Sequence, residues 1–139
     1  MNILYTATAT ASGGREGHVR SSDGTLDLPL SMPKELGGSG RAATNPEQLF
    51  AAGYAACFEN ALLRVARQKR IPVRESSVTA QVGIGRMEDG YFSLKVDLQV
   101  SVPGLDRAQA KELARTAHEE VCPYSRATRG NIEVNVGVA

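Results

Sequence analysis

The spacing of apolar and polar positions changes several times along the chain. Residues 3–11 alternate, and the short segments 18–22 and 25–31 are again extended, with a glycine-rich turn before the first and a Ser-Asp-Gly hairpin signal between them. Segment 33–44 is rich in glycine and has no period, which is typical of a loop. This part of the chain therefore predicts three strands joined by hairpins.

A long helix is predicted over 46–69. Thr44 or Asn45 can cap it, and Pro46 suits the first helical position, where its missing N–H costs nothing. Pro72 ends it, because the residue before a proline is disfavoured in helical conformation.

The first part of this helix is apolar on nearly every side, from Leu49 to Phe58. A helix at the surface of a single subunit would show one apolar stripe, so more than one surface must cover this one. A sheet covers one side and a second subunit can cover another, which predicts a homodimer. Gly53, in mid-helix, costs about 1 kcal/mol relative to alanine and indicates close packing or a kink.

The second half of the chain has a period of two, then a helical pattern, then a period of two again. Two long strands are predicted over 78–84 and 92–102, a second helix over 107–121 after the cap Asp106, and a last strand over 131–139. The order βββ-α-ββ-α-β predicts an α+β fold with antiparallel sheets around a central buried helix. No linker or repeat interrupts it, so residues 1–139 are interpreted as a single domain.

Composition and charge exclude several classes of protein. The 42% hydrophobic and 22% charged residues are ordinary for a folded chain, and the net charge of +1 gives no reason to expect binding to nucleic acid or to an anionic membrane. The start lacks the features of a signal peptide, and no apolar run is long enough for a membrane helix. A cytoplasmic location is predicted, where cysteines are more often catalytic, redox-active or metal-binding than structural.

The chain has two cysteines, and Cys57 lies in the apolar part of the first helix. A thiol of ordinary pKa is only about 3% ionised at pH 7, so a nucleophilic cysteine needs a nearby positive group. On its own helical face only Arg64 is charged, toward the polar end. Arg15, in the glycine-rich turn, is the better candidate. The alternatives are an inert buried thiol and a solvated turn arginine.

Glu47 lies in the first turn of the predicted helix, where a carboxylate suits the positive end of the helix dipole. It precedes Cys57 by about 15 Å of straight helix, so it cannot touch that thiol directly. It could instead bind Arg15 through both carboxylate oxygens. Both interpretations of the glutamate remain open on sequence alone.

Cys122 follows the second predicted helix and precedes Pro123, which can begin a further short turn. The N–H groups at the start of such a turn favour a thiolate. A structural cysteine at the junction of two elements is the alternative.

Other chemistries have little support in the sequence. His18 and His118 are scattered relative to the cysteines, and no spacing typical of zinc ligands occurs, so no metal is predicted. A Cys-His hydrolase needs a histidine beside the thiol, and neither histidine has a distinctive setting; His118 is interpreted as a residue of a helix face. No phosphate-binding or dinucleotide motif is present, and no cofactor is predicted.

Three blocks resemble one known family: ATASGGREGHVRSSDGTLDLPLSMPKELGG, TNPEQLFAAGYAACF and VCPYSRATRGNIEV. Their order and length make the chain similar to the organic hydroperoxide resistance family of the OsmC superfamily. The resemblance implies a peroxidatic Cys57, a resolving Cys122, a catalytic Arg15 and a Glu47 that pairs with it. It also implies an intertwined homodimer and a dihydrolipoyl group or lipoylated protein as the reductant.

The expected function is therefore a thiol peroxidase that reduces alkyl or fatty-acid hydroperoxides to alcohols, in defence against oxidative stress, through a sulfenic acid on Cys57 and a disulfide with Cys122. Apolar neighbours suit a substrate with an alkyl tail: Leu49, Phe50, Tyr54 and Phe58. The alternative is a redox-regulated binding or sensor module for apolar ligands, which would be oxidised once without turnover.

Overall fold

The structure is a computed structural model that describes all 139 residues. The elements are the strands β1 (Ala9–Ser12), β2 (His18–Ser21), β3 (Asp27–Pro29), β4 (Ser77–Arg86), β5 (Phe92–Ser101) and β6 (Glu133–Val138), and the helices α1 (Pro46–Gln68), α2 (Arg107–Thr116) and α3 (Pro123–Thr128). The chain divides into two compact units, Met1–Leu49 and Phe50–Ala139. The α+β class and the predicted order of the main elements are confirmed; the single domain stays a prediction.

In the unit Met1–Leu49, β1, β2 and β3 form an antiparallel sheet in that order. The first strand is shorter than predicted, because pairing begins at Ala9 opposite Ser21. Between β1 and β2 the chain turns through a single 3₁₀ turn, Gly14–Glu16. Gly17 follows it, and a Cβ there would lie 1.8 Å from the Ser12 carbonyl oxygen, so only glycine fits this hairpin end.

The loop after β3 folds back on the end of that strand. Ser31 N–H donates to the Thr44 carbonyl at 2.9 Å, and Thr44 N–H donates to the Pro29 carbonyl at 3.2 Å. These bonds bring the start of α1 to the end of the small sheet. Of the two predicted caps, Asn45 is the one observed, since its Oδ1 accepts a hydrogen bond from Gln48 N–H at 2.8 Å.

In the unit Phe50–Ala139, β4 and β5 form the predicted long hairpin, with pairs such as Val82 opposite Val96. The last strand corrects the prediction of antiparallel sheets at one position: β6 pairs with β5 in parallel, Val134 opposite Val96. The two helices between β5 and β6 make a crossover long enough to return the chain in the same direction. The second sheet is therefore mixed.

The remainder of α1 packs on this sheet and on α2. Its buried side chains are Tyr54, Phe58, Ala61, Leu62, Val65 and Ala66, and the sheet and α2 contribute Val96, Leu98, Val100, Val102, Ala110, Leu113, Ala114 and Ala117. Ala52 and Ala56, on the opposite side of α1, are exposed in the single chain. The helix ends at Gln68, one residue before the predicted limit.

The second helix differs from its prediction at its C-terminal end. It begins as expected, since Asp106 Oδ1 accepts from Gln109 N–H at 2.8 Å. Its α-helical bonding stops at Thr116, and a π turn, Ala117–Val121, follows. The π turn closes with Cys122 N–H donating to the Ala117 carbonyl at 2.8 Å. Cys122 is extended, and α3 then begins at Pro123 as predicted.

Candidate active site

The two cysteines, 65 positions apart in sequence, lie side by side: their Sγ atoms are 3.8 Å apart. Both thiols are free; Cys57 is partly exposed, and Cys122 is 2% exposed. A disulfide has an S–S distance of about 2.05 Å, so an approach of about 1.8 Å separates this arrangement from a covalent bond.

Cys122 caps α3 with its own sulfur. Pro123 has no N–H to offer, and the N–H of Ser125 donates to Cys122 Sγ at 3.5 Å. The π turn is the local reason for this placement, because it directs the chain out of the helical path at Cys122.

The surroundings of Cys57 oppose its ionisation. Burial raises the pKa of this thiol, and the neighbouring Cys122 also raises it, while a hydrogen bond from the backbone N–H of Tyr124 lowers it. The net shift is upward. The groups packed around Cys57 in its own unit therefore do not produce the thiolate that a nucleophile needs.

Arg15 and Glu47 form a bidentate ion pair in the unit Met1–Leu49. Arg15 Nη1 and Nη2 donate to the two Glu47 carboxylate oxygens at 2.8 and 2.6 Å. The arginine hydrogen bond lowers the pKa of Glu47, against the opposing effect of burial. The side chains are 28% and 14% exposed, so the guanidinium is held in place yet remains accessible. The catalytic roles of both residues stay predictions.

Two of the four apolar residues predicted to bind substrate are closed to solvent in the single chain. Tyr54 and Phe58 are both 0% exposed and belong to the core. Leu49 and Phe50 are partly buried, and the Phe50 ring meets the Tyr54 ring edge-on at 6.1 Å. The role of these four residues in binding substrate stays a prediction.

Sequence reasoning missed a polar cluster next to Cys122. His118 Nδ1 lies 2.8 Å from Ser125 Oγ, and Ser125 Oγ lies 3.0 Å from Tyr54 Oη. Burial and the charge of Arg129 lower the pKa of His118, which favours the neutral imidazole. The signal in the sequence was the polar pair Ser125 and Thr128, spaced to share one face of the short helix that follows Cys122.

No three His, Cys, Asp or Glu side chains are grouped to hold a metal ion, and the absence of a metal or cofactor stays a prediction. None of the helices combines the length and apolar character that a membrane span requires.

Comparison with known proteins gives a consistent picture. A family model described as "OsmC-like protein" matches residues 37–137. The organic hydroperoxide resistance protein of Xanthomonas axonopodis pv. citri is 54% identical over 138 residues, which cover 99% of this chain and 96% of that protein.

Two solved structures are similar over almost their whole length. An organic hydroperoxide resistance protein from Legionella pneumophila matches with a TM-score of 0.94 at 50% identity, covering 99% of each chain. OhrB of Bacillus subtilis matches with a TM-score of 0.91 at 48% identity, covering 99% of this chain and 100% of that one. The chain therefore belongs to the OsmC-like family, and within it to the organic hydroperoxide resistance proteins.

Proposed function

We propose that this protein is a thiol peroxidase that reduces organic hydroperoxides to alcohols. The observation that carries the proposal is the 3.8 Å separation of the Cys57 and Cys122 sulfurs, with both thiols reduced. A nucleophilic thiol with a second thiol at this distance can complete a peroxidase cycle. The names of the relatives, which refer to organic hydroperoxide resistance, support the same class of substrate.

The proposed cycle has three steps. The Cys57 thiolate attacks the terminal oxygen of ROOH, the O–O bond breaks, and the alkoxide takes a proton and leaves as alcohol. Cys122 then displaces the hydroxyl group of the Cys57 sulfenic acid as water and forms a disulfide. A dithiol reduces that disulfide by exchange, supplying two electrons and two protons. A dihydrolipoyl group is the proposed donor.

The thiolate needs a cation, and we assign this role to Arg15. Burial raises the pKa of Cys57, so a positive group must reverse the shift. Arg15 is fixed by two hydrogen bonds to Glu47 while its guanidinium retains further N–H donors. The same donors suit the alkoxide that develops as the O–O bond breaks.

Several further assignments accompany this mechanism. The partly buried Leu49 and Phe50 favour an alkyl or fatty-acid hydroperoxide over hydrogen peroxide.

The exposed small residues Ala52 and Ala56 on α1 favour close packing of a second copy, in keeping with an intertwined homodimer. Light scattering that finds a folded, active monomer would contradict the dimer. A cytoplasmic location belongs to the same proposal, because cysteines there are more often catalytic or redox-active than structural.

The test is multiple turnover. Purified protein is mixed with dihydrolipoamide and with tert-butyl, fatty-acid or hydrogen peroxide, and peroxide consumption is followed. Many equivalents of the two organic hydroperoxides should disappear per subunit, and faster than hydrogen peroxide. Oxidation that stops after one equivalent, with the dithiol still present, would identify a redox-regulated binding or sensor module instead.

A further inference from the structure

Four polar side chains form a hydrogen-bonded chain in the interior of the unit Phe50–Ala139. Tyr54 Oη lies 3.0 Å from Ser125 Oγ and 3.1 Å from Thr128 Oγ1, and Ser125 Oγ lies 2.8 Å from His118 Nδ1. Tyr54 and Ser125 are completely buried. None of the four takes part in the proposed chemistry, so this polar network needs another reason. Buried hydroxyl groups of this kind are costly unless every one is satisfied.

The polar network joins the elements that carry the two cysteines. Tyr54 belongs to α1 and precedes Cys57 by three positions, close to one helical turn. His118 belongs to the π turn before Cys122, while Ser125 and Thr128 belong to α3 after it. Each side of the thiol pair is thus tied to the other by hydrogen bonds.

Ser125 connects the polar network to the sulfur itself. Its hydroxyl bridges Tyr54 and His118, and its backbone N–H donates to Cys122 Sγ. A displacement of Ser125 therefore moves the donor that holds the resolving sulfur.

Helix α3 depends on such contacts for its position. It has six residues, too few for a helix that is stable in isolation. Its buried side chains are Ser125 and Thr128, both polar, so hydrogen bonds supplement the contact of the Tyr124 ring in attaching α3 to α1.

We propose that Tyr54, His118 and Ser125 are positioning residues of the thiol pair, whose hydrogen bonds hold α3 against α1 and raise the effective concentration of the Cys122 thiol at Cys57. The reaction served is the disulfide formation of the proposed function: the S–O bond of the Cys57 sulfenic acid breaks, the S–S bond forms, and the Cys122 proton leaves with the hydroxyl group as water. The dithiol–disulfide equilibrium depends on the same effective concentration, and it can be measured without any peroxide.

The experiment measures that equilibrium in the full chain. Wild type and variants are equilibrated in mixtures of reduced and oxidised dithiothreitol, free thiols are blocked, and the disulfide fraction is read by intact mass. Tyr54→Phe keeps the ring and removes both bonds from its hydroxyl, so it should lower the equilibrium constant for disulfide formation by about three- to tenfold. Ser125→Ala should lower it as well.

His118 supplies a rescue test. His118→Leu removes the partner of Ser125 Oγ and should lower the equilibrium constant. In His118→Asn the amide lies near the position of Nδ1 and can bond the same hydroxyl, so this variant should recover most of the wild-type value. If His118 served only packing, the equilibrium constant for disulfide formation would instead be closer to the wild-type value in His118→Leu than in His118→Asn.

Two substitutions provide matched controls. Tyr91→Phe removes the hydroxyl of an exposed tyrosine, and Thr116→Val removes a buried hydroxyl that has no hydrogen-bond partner. Both should leave the equilibrium constant at the wild-type value. A decrease in Thr116→Val equal to that in Tyr54→Phe would overturn the proposal, since loss of any buried hydroxyl would then suffice.

Hydrogen exchange of residues 123–129 supplies a second measurement. If Tyr54→Phe does not fold, the exchange is measured in Ser125→Ala. Faster exchange there with a lowered equilibrium constant supports the positioning role. Folded variants with unchanged constants and unchanged exchange overturn it. If the variants lower the equilibrium constant for disulfide formation but the wild-type protein shows no peroxide turnover, the proposed function is contradicted and the positioning role stands. If the wild-type protein turns over peroxide but the variants keep the wild-type equilibrium constant, the positioning role is contradicted and the proposed function stands.

Discussion

The ring of Tyr124 covers Gly53 on helix α1, and a Cβ placed on Gly53 would lie 3.2 Å from Cε2 and from Oη of that ring. The backbone of the same tyrosine also lowers the pKa of the Cys57 thiol. The absence of a side chain at position 53 therefore lets the start of α3 approach α1 beside the thiol. This explains a mid-helix glycine through close packing, one of the two reasons that the sequence suggested.

Enlarging Gly53 should separate the thiols. Gly53→Leu must displace the Tyr124 ring, and we expect slower disulfide formation after one equivalent of hydroperoxide and a loss of about 1–3 kcal/mol in the free energy of unfolding. In Gly53→Ala, a helix-propensity gain of about 1 kcal/mol offsets mild crowding, so its stability should change little. Gly85→Ala is the control, because no atom lies within 4 Å of a Cβ there. A wild-type rate in Gly53→Leu would contradict the packing argument.

Cys57→Ser should abolish peroxide reduction with any dithiol, because an alcohol at this position cannot take the oxygen atom. Turnover is measured with dihydrolipoamide and tert-butyl hydroperoxide, and circular dichroism checks the fold. A residual turnover rate of about a tenth of the wild-type rate would contradict the assignment of Cys57 as the nucleophile.

Arg15→Ala should raise the pKa of Cys57 and slow its oxidation. Burial and Cys122 already hold this pKa above its ordinary value, so removal of the proposed cation leaves nothing to oppose them except the Tyr124 N–H. Cys122→Ser leaves Cys57 as the only thiol, so the pH dependence of thiolate absorbance in Cys122→Ser and in Cys122→Ser/Arg15→Ala gives the change in pKa that is due to Arg15.

Two further variants separate charge from geometry in that experiment. Arg15→Lys keeps the charge and loses the bidentate fork, so it should give an intermediate pKa. Arg20→Ala removes an exposed arginine of the same unit and should change nothing. An unchanged thiol pKa in Arg15→Ala would identify Arg15 as a solvated turn residue paired with Glu47.

The stabilisation due to Glu47 should depend on pH in a defined direction. The Arg15 hydrogen bond lowers its folded-state pKa below the ordinary 4.5, so the stabilisation is fully present above pH 4.5 and is lost as the pH falls through the folded-state pKa. Glu47→Gln should therefore cost about 1 kcal/mol at neutral pH and progressively less in acid.

Denaturant unfolding at several pH values measures that difference, and Glu35→Gln, an exposed glutamate in the same unit, is the control. A gap between wild type and Glu47→Gln that widens as the pH falls would show that the carboxylate is not stabilised by Arg15.

The sequence predicted best those features that depend on neighbours along the chain. Asn45 and Asp106 cap their helices with side-chain bonds that span three residues, and Pro123 begins α3 because its ring suits that position. The β4–β5 hairpin follows from a period of two on both sides of a turn. In each case the physical cause lies within a few residues.

Features set by distant contacts were missed. The parallel direction of β6 depends on which edge of the hairpin it meets, and the π turn at Ala117–Val121 shifts the helix register by one residue without a clear local signal. His118 was interpreted as a helix-face residue because its partner Ser125 lies across the π turn, and the hydrogen bond between Tyr54 and Ser125 was missed because it spans 71 positions.

The pairing of the cysteines can be tested by mass alone. Their sulfurs are 3.8 Å apart across 65 positions of sequence, within reach of an intramolecular bond. One equivalent of organic hydroperoxide should therefore remove two hydrogens from each wild-type subunit, because the Cys57 sulfenic acid is converted to a disulfide by Cys122. Cys122→Ser should instead gain one oxygen, since Cys57 is intact and nothing condenses with it.

The same variant should then respond to excess peroxide. Its sulfenic acid, without a resolving thiol, should take up further oxygen to sulfinic and sulfonic acid, which a dithiol cannot reverse. Its dithiol-driven turnover should fall while its first oxidation is at least as fast as in wild type, because that step does not need Cys122 and the neighbouring Cys122 raises the pKa of Cys57. A stable added oxygen in the wild-type subunit, or a disulfide that joins two subunits, would contradict the intramolecular pair and assign the closeness of the two thiols to packing.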